Sequence, residues 1–540
     1  MAWVCVHTQY VTDPEVLIVG AGPVGLTARA LLARWGVSAM LVEKRPELSP
    51  FPRSRLLNVR SMEIFRQLGV ADTVTARAFA PEFGRIRFRD TLRDRDFGSA
   101  GMAGVNAPIP ESPVIGALTS QDRLEPTLLA AADTPIRYGV ELVDLAEEAE
   151  GVVASLVDHP SGTRSQVRAR YVLAADGANS GVRQRLGIGT IGPGAVGRLS
   201  TVVFDADLHS GLAGQPAGVY ATAHGSFLPI YPEGGWAWIG PTPEDTEHAD
   251  WPDLVARALG PHWDVRIDVL RVQHWVVNAF TAEQFRHGRV LLAGDAAHAI
   301  PPSGGLGMNV GIADVHNLCW KLAGVLQGWA GPDLLDSYDP ERQPVAHRNL
   351  RQAVVNSQLA WQAADLRREQ LTNGDAAAEV ELPWSEEYFA QLGLVLGVAY
   401  RSGAVLTDAH GTDVDGTDVH GAPPEPGTDY VPTPAPGHRM PHAWLTAGRS
   451  TLDTLGEWFT LLTPDPDHWA RHTDLPWPLH VEALPAEHTD LFDLGRTGAL
   501  LVRPDGHIAA RWREAPPGGA ALRDALSSVT GSGSVVDVAQ

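Results

Sequence analysis

Cysteine is nearly missing from this chain: Cys5 and Cys319 are the two in 540 residues. That excludes a disulfide scaffold and a CxxC redox centre, and fits a reducing cytoplasm. Long apolar runs are missing too. No stretch of about 18 apolar residues occurs, so no membrane-spanning helix is expected. The opening MAWVCVHTQYVTD carries neither a basic n-region nor a long apolar core. It reads as a loose extension rather than a secretory signal. Although there are 20 histidines, HExxH and paired Cys/His spacings are absent, so no metal site is expected. The acidic-looking DVDGTDVHG lacks the register and closing glutamate of a calcium loop. Positive charge is in deficit: 42 Lys and Arg face 64 Asp and Glu, a net charge of −22. Nucleic acid and anionic membranes are therefore poor partners.

What is present reads as a soluble globular protein. Hydrophobic residues make up 44% and charged residues 20%, which leaves no room for wholesale disorder. At 540 residues the chain exceeds one hydrophobic core, and two to four domains are expected. Near the N-terminus EVLIVGAG reads as a buried strand, PVGLTARALLARWG as a helix ending at Gly36, and VSAMLVEK as a second strand. This is βαβ order, the start of a parallel sheet. Helices follow at 58–70 and 119–133, and RARYVLAADGANSGVRQRLGI at 168–188 reads as strand, turn and helix. Between about 200 and 280, short runs such as STVVFDADL and SFLPIYP are joined by Gly/Pro turns and predict a sheet-rich domain. RVLLAGDAAH is again a strand entering a glycine loop, IADVHNLCWKLAGVLQG is a helix, and helical patterns continue to about 400. The Pro/Gly/Asp-rich stretch 405–441 reads as a linker, and 442–540 as a further α/β domain.

The chemistry is carried by two glycine loops. In VGAGPVGL, residues 19–26, Gly20 permits a tight turn, Gly22 lets a pyrophosphate approach the backbone, and Gly25 lets helix pack on strand. Pro23 and Val24 open the helix, whose N–H groups and dipole favour phosphate. Glu43 ends the second strand, where a carboxylate can take ribose hydroxyls, with Lys44 beside it. A second loop, GDAAHAIPPSGGLGMNVG, spans 294–311. Gly294 and Asp295 follow a strand, placing a carboxylate for ribityl hydroxyls. Pro301 and Pro302 stiffen the backbone, and Gly304, Gly305 and Gly307 leave a flat ring unobstructed. Leu306 forms the floor. Met308 and Asn309 open a helix whose positive end can face the pyrimidine edge of a flavin. One loop suffices for NAD; two loops fit the longer FAD.

These motifs resemble the class A flavin-dependent aromatic hydroxylases, the p-hydroxybenzoate hydroxylase-like family. GRVLLAGDAAHAIPPSGGLGMNVGIADVHNLCWKLA is similar to their flavin segment and LAADGANSGVRQRLGI to their middle motif, which implies a role for Asp176 toward FAD and the nicotinamide cofactor. PRSRLLNVRSMEIFRQLG places Arg53 near the pyrophosphate by the same resemblance. TSQDRLEPTLL places Gln121 and Arg123 along the flavin chain. LLDSYDPERQPVA extends the likeness, which covers nearly all of 15–350. The tail resembles the thioredoxin-like domain of phenol hydroxylase relatives, nearest to actinomycete polyketide hydroxylases of the tetracenomycin-hydroxylase type. Those relatives often carry Gln or an aromatic where this chain has Leu306.

The resemblance implies an α/β fold: a Rossmann-like, GR2-type FAD-binding domain (1–80, 113–190 and 281–400), a sheet-rich substrate-binding domain (81–112 and 191–280), a linker (401–441) and a thioredoxin-like C-terminal domain (442–540). With no cysteine after Cys319, the tail is expected to be structural and dispensable for FAD binding. The implied activity is an FAD- and NAD(P)H-dependent monooxygenase that hydroxylates a polycyclic aromatic polyketide through a C4a-hydroperoxyflavin, with O2 as co-substrate. Baeyer–Villiger or ring-opening oxygenation is the alternative; a non-catalytic polyketide-binding flavoprotein is the rival of another class. No catalytic side chain is identified, since the cofactor performs the hard step. His298 is expected to bond backbone within its loop, and His224 and Tyr231 to be packing residues. NADPH and NADH are not distinguished, and a monomer or homodimer is expected.

Overall fold

The computed structural model describes residues 13–208, 212, 215–261, 265–373, 391–406, 429–471, 473–517 and 520–532. Cys5, the N-terminal extension, the DVDGTDVHG run and most of the expected linker lie outside them.

Val16–Val19 is a strand of four fully buried apolar residues, as a strand covered on both faces requires. It pairs in parallel with Tyr171–Ala174 on one side and Ala39–Val42 on the other. The complete sheet runs in the order 286–287, 290–292, 171–174, 16–19, 39–43, 136–138, and only the edge strand 286–287 is antiparallel. Four adjacent parallel strands thus end in turn at Leu292, Ala174, Val19 and Glu43. Helices Pro23–Arg34 and Gly307–Gln327 pack on this sheet through Leu26, Leu31, Ile312, Val315 and Leu322. The helix expected at 58–70 forms over Val59–Gln67, with the Asn58 side chain accepting the Ser61 N–H. An antiparallel meander, 140–148, 151–158 and 163–169, adds a small sheet.

Residues 85–101 and 190–282 share one eight-stranded sheet, which extends as far as His298–Ala299 of the second glycine loop. One face is sealed by Phe204, Tyr220, Phe227, Trp236 and Trp238 beneath the helix Trp251–Leu259. The sequence reading begins the first long strand near 200, but it starts at Thr190 and pairs with 268–282 through register shifts at Ile191/Gly194 and Ala195/Gly197. Its run TIGPGAVG hides the strand because glycines at positive φ, Gly192 and Gly194, take up those shifts.

The last 100 residues build a sheet in the order 479–483, 459–463, 499–502, 508–512. Its first pair is parallel and the others antiparallel. This sheet is not set apart by a loose tether. Phe459, Leu461 and Leu501 share one core with Trp320 and Leu334, from the helix after the second glycine loop and the turn that follows it. Arg503 lies fully buried between Glu341 and Asp505 (Nη1 to Glu341 Oε1 at 2.6 Å), and Lys321 completes the cluster at 2.7 Å from Glu341. Arg439 pairs with buried Glu63. The expectation of a dispensable tail is revised accordingly, because the tail supplies counter-charges to Glu63 and Glu341, buried outside it.

Candidate cofactor and active site

Every glycine loop and its partner carboxylate emerge at the same edge of the parallel sheet, at the carboxyl ends of neighbouring strands. Ligands of open parallel sheets bind there. Gly20 has φ +105°, and a Cβ on it would lie 2.4 Å from Ala175 O. A Cβ on Gly25 would lie 1.9 Å from Gly20 O. On Gly22 a Cβ would meet nothing within 4 Å. The three positions therefore divide as the sequence suggests: a strained turn, an open approach and a tight contact. The Glu43 carboxylate accepts the Ala21 N–H at 2.8 Å and the Arg45 N–H at 2.9 Å, so it already faces the glycine loop. Lys44 is exposed beyond it.

The two distant loops meet at Val24. A Cβ on Gly294 would lie 2.9 Å from Val24 Cγ2; one on Gly311 would lie 2.6 Å from the same atom and 2.9 Å from Gly294 Cα. Helices Pro23–Arg34 and Gly307–Gln327 both start without a side-chain cap and without an acid in the first turn. Their first N–H groups and positive dipole ends therefore remain available to an anion or an electron-rich ring edge. The Asp176–Gly177 turn closes the third side: a Cβ on Gly20 would lie 3.1 Å from Asp176 Cα. Asp176 Oδ2 accepts the Val182 N–H at 3.2 Å and Oδ1 is a buried atom with no partner. Arg183, which the sequence reading passed over, ties this turn to the flavin loop by donating to Ala178 O at 2.9 Å and Ala296 O at 2.8 Å.

Asp295 is solvent-exposed, although it sits deep within the protein mass. That setting pushes its carboxyl above the ordinary value, with His298 and Arg53 opposing the shift. Arg53 is exposed as well, and its charge is felt by Asp295, Glu43 and Glu125. Gly304 and Gly305 have positive φ, and Gly305 closes against Leu56. A Cβ on Gly307 would be 3.7 Å from its nearest neighbour, an ordinary contact. Pro302 is exposed and Met308 half-buried. The Leu306 side chain, read as a floor, is 4% exposed, and a Cβ on Gly304 would lie 3.6 Å from its Cγ. Asn309 is a strut: Nδ2 donates to Leu56 O and Gly305 O, and Oδ1 accepts from Asn58 N and Ser61 Oγ, all between 2.7 and 2.9 Å.

His298 differs from expectation. It is fully buried, and Nε2 meets the Asp314 carboxylate at 2.6 Å rather than a backbone group. Asp314 also accepts the Gly294 N–H at 3.0 Å and Arg342 Nε at 2.8 Å. Burial raises its carboxyl, but His298 and Arg342 outweigh that and hold it below the ordinary range. Nothing in the sequence marks Asp314, whose role exists only because helix and turn are folded together. Gln121 accepts the Ser54 N–H at 3.4 Å and donates to Glu125 at 2.7 Å. Arg123 turns instead to the hairpin 225–241, stacking 4.1 Å above Tyr231 and pairing with Glu233. Tyr231 donates to Asp122 at 2.7 Å, and burial with that carboxylate pushes its phenol up to about 12, so it is no base at neutral pH. His224 is exposed at a hairpin turn. Among the described residues no group of three or more metal-ligating side chains occurs, and no helix is long and apolar enough to cross a membrane.

A family model described as FAD binding domain matches residues 13–353, and one described as aromatic-ring hydroxylase, C-terminal, matches 433–533. This chain belongs to the FAD-dependent aromatic-ring hydroxylases. The hydroxylase is 35% identical over 550 residues to tetracenomycin B2 monooxygenase-dioxygenase of Streptomyces olivaceus, covering 92% of this chain and 94% of that one. It is 33% identical over 559 residues to 4-methyl-5-nitrocatechol 5-monooxygenase of a Burkholderia species, covering 96% and 97%. The crystal structure of the flavin-dependent monooxygenase PieE with FAD and substrate superposes with a TM-score of 0.85 at 32% identity, covering 96% of this chain and 99% of that one. The hydroxylase is a flavin-dependent monooxygenase that binds FAD.

Proposed function

We propose that this enzyme hydroxylates a polycyclic aromatic polyketide, using NADPH or NADH as reductant. The observation that carries the reading is the meeting of both glycine loops at Val24, on the carboxyl edge of four adjacent parallel strands. When bound, FAD supplies the activation of O2 and the delivery of one oxygen atom. The chain's own part is binding, orientation and exclusion of water. Glu43 holds the adenosine ribose; the amides after Gly22 and the Arg53 guanidinium hold the pyrophosphate. Asp295 and Asp176 hold the ribityl chain. Gly305, Gly307 and the start of the 307–327 helix hold the ring.

The aromatic substrate lies between that ring and the open face of the eight-stranded sheet. One end of this face, Val203, Leu228, Ile230 and Ala237, is covered by Phe51. The other end, Ile86, Phe88, Val219 and Ala221, is covered by Leu359, Ala360 and Ala363 of the long helix Tyr338–Thr372. A polycyclic rather than one-ring substrate is favoured by the similarity to the tetracenomycin enzyme. The four-stranded C-terminal sheet, parallel pair first and antiparallel pair second, supports a thioredoxin-like assignment for 442–540, with a structural role.

Products from a panel of polycyclic quinones and phenols, with one-ring catechols alongside, should be analysed by mass spectrometry under isotopic O2. One labelled oxygen in a product with its ring count unchanged is the expected result. A ring-opened or ester product would establish Baeyer–Villiger chemistry, and no turnover of any panel member would favour a binding protein. The single βαβ nucleotide unit is taken by FAD, so the nicotinamide cofactor binds transiently near Arg53 and Asp176. Substrate binding is the trigger that opens the flavin to this reductant, so anaerobic stopped-flow reduction should be faster with substrate present; equal rates would show that substrate does not control reduction.

A further inference from the structure

Glu125 on the helix Gln121–Leu129 is 2% exposed, yet among the described residues no cation forms an ion pair with it. Its Oε1 accepts Gln121 Nε2 at 2.7 Å, and Oε2 has no hydrogen-bond partner. The Ser49 amide favours the carboxylate without completing a bond of normal geometry to Oε2. The charged and titratable groups that act on it are Arg45 and Arg53 from the 45–54 segment and Tyr138 from the edge strand, while Glu43, at the end of its strand, acts on Arg53 and Tyr138. Gln121 links Glu125 to the backbone of Ser54, so the glutamate and the loop bearing Arg53 form one unit. A buried carboxylate with one filled lone pair is poorly stabilised as an anion. Burial pushes this carboxyl up to about 7, while Gln121 and Arg53 pull it down. Its proton occupancy near neutral pH therefore depends on how much of the Arg53 field reaches it.

We propose that FAD binding is coupled to uptake of one proton from solvent, which Glu125 holds as a neutral carboxylic acid behind the pyrophosphate. The proposal rests on the placement of the pyrophosphate against Arg53 given above. The two phosphates bring negative charge into the cleft and occupy the cation that favoured the Glu125 anion. Like charges in a cleft walled by protein repel strongly, so the carboxylate takes a proton. The neutral acid keeps its contact with Gln121 and places no anion beside the phosphates. Glu125 thereby acts as a positioning residue through Gln121 and Arg53, without touching the reacting atoms.

Calorimetric titration of the deflavinated full-length chain with FAD, in two buffers of different ionisation enthalpy, reads the proton directly. Uptake of roughly half a proton at pH 7, approaching one at pH 8, is expected, with FAD affinity falling by up to about tenfold per pH unit above 7. Glu125→Gln should bind FAD with a buffer-independent heat and an affinity flat from pH 6 to 8. Arg53→Gln should take up less at pH 7, because loss of the cation leaves Glu125 already protonated before FAD arrives. Equal wild-type heats in the two buffers at pH 7 and 8 would overturn the proposal whether or not Glu125→Gln folds. Undiminished uptake in Glu125→Gln would overturn it as well. Unchanged FAD affinity in Arg53→Gln would overturn the pyrophosphate placement and the proposal with it; loss of coupling alone would leave the cofactor reading standing.

Discussion

At the scale of single residues, the three glycines of the first loop do different work, and substitution separates them. Gly22→Ala adds a methyl that meets no protein atom. The apoprotein should melt as wild type does, while FAD affinity falls by about tenfold or more because the methyl stands where phosphate approaches the amides. Gly25→Ala places the same methyl 1.9 Å from a carbonyl oxygen, and its expected outcome is loss of soluble protein. Thermal melting paired with flavin fluorescence distinguishes the two. Asp295→Ala removes a charge-assisted acceptor worth about 1.5–3 kcal/mol, so FAD should bind about ten- to a hundredfold more weakly in a chain that still folds. Unchanged affinity in that variant would move the ribityl cradle elsewhere.

At the scale of elements, the device that matters is the hold of the 307–327 helix on the flavin turn. Asp314, two helical turns in, grips the Gly294 amide with one oxygen and Arg342 with the other, while His298 reaches the same carboxylate from the far side of the turn. All three side chains are at most 1% exposed. Asp314→Asn leaves Arg342 without its buried counter-charge, and chemical denaturation should register a loss of about 3–5 kcal/mol. The surface pair Arg123–Glu233 is a contrasting case. Glu233 is largely exposed, so Glu233→Ala should shift stability by less than about 1 kcal/mol.

At the scale of the whole molecule, the C-terminal sheet shares an apolar core and buried ion pairs with the FAD-binding part of the chain. Ending the chain near 405 removes Arg439, Arg503 and Asp505 together, leaving Glu63 with Arg60 alone and Glu341 with Lys321 alone, and uncovering the apolar core around Trp320. The truncated chain should fail to give a soluble yellow protein; size-exclusion chromatography and visible absorbance check this. The same clusters set the acid limit. Burial raises the carboxyls of Glu63, Asp314, Glu341 and Asp505, but their arginine, lysine and histidine neighbours outweigh it and leave all four depressed. A depressed carboxyl contributes stability above its unfolded value, near 4, and that contribution disappears as pH falls through the folded value. Between about pH 4.5 and 6.5 the slopes run both ways. His316 and His507 are held neutral by burial, down to about 3 and about 4, and lose stability as pH falls; Glu125, raised to about 7, loses it as pH rises. Thermal melting against pH should therefore drop steeply below about pH 4.

The sequence by itself determined the nucleotide-binding edge. A strand that must end in glycine, a helix that must start without a Cβ in the way, and a carboxylate one strand over are all local in origin. Gly20, Gly22, Gly25 and Glu43 could thus be picked out as candidates from spacing, and the second loop from its density of glycine and proline. Tertiary structure decided what those loops touch. Val24 joins them across some 270 residues of chain, a contact that no periodicity encodes. Asp314, Arg183 and Glu125 carry no motif, because their roles arise from burial and from partners far away in sequence. The fold likewise brought Arg123 over Tyr231, while burial gave His298 a carboxylate in place of a backbone partner and made the tail part of the core. Apolar patterns are written residue by residue, whereas the pairing of buried charges is fixed only when distant segments exclude water together.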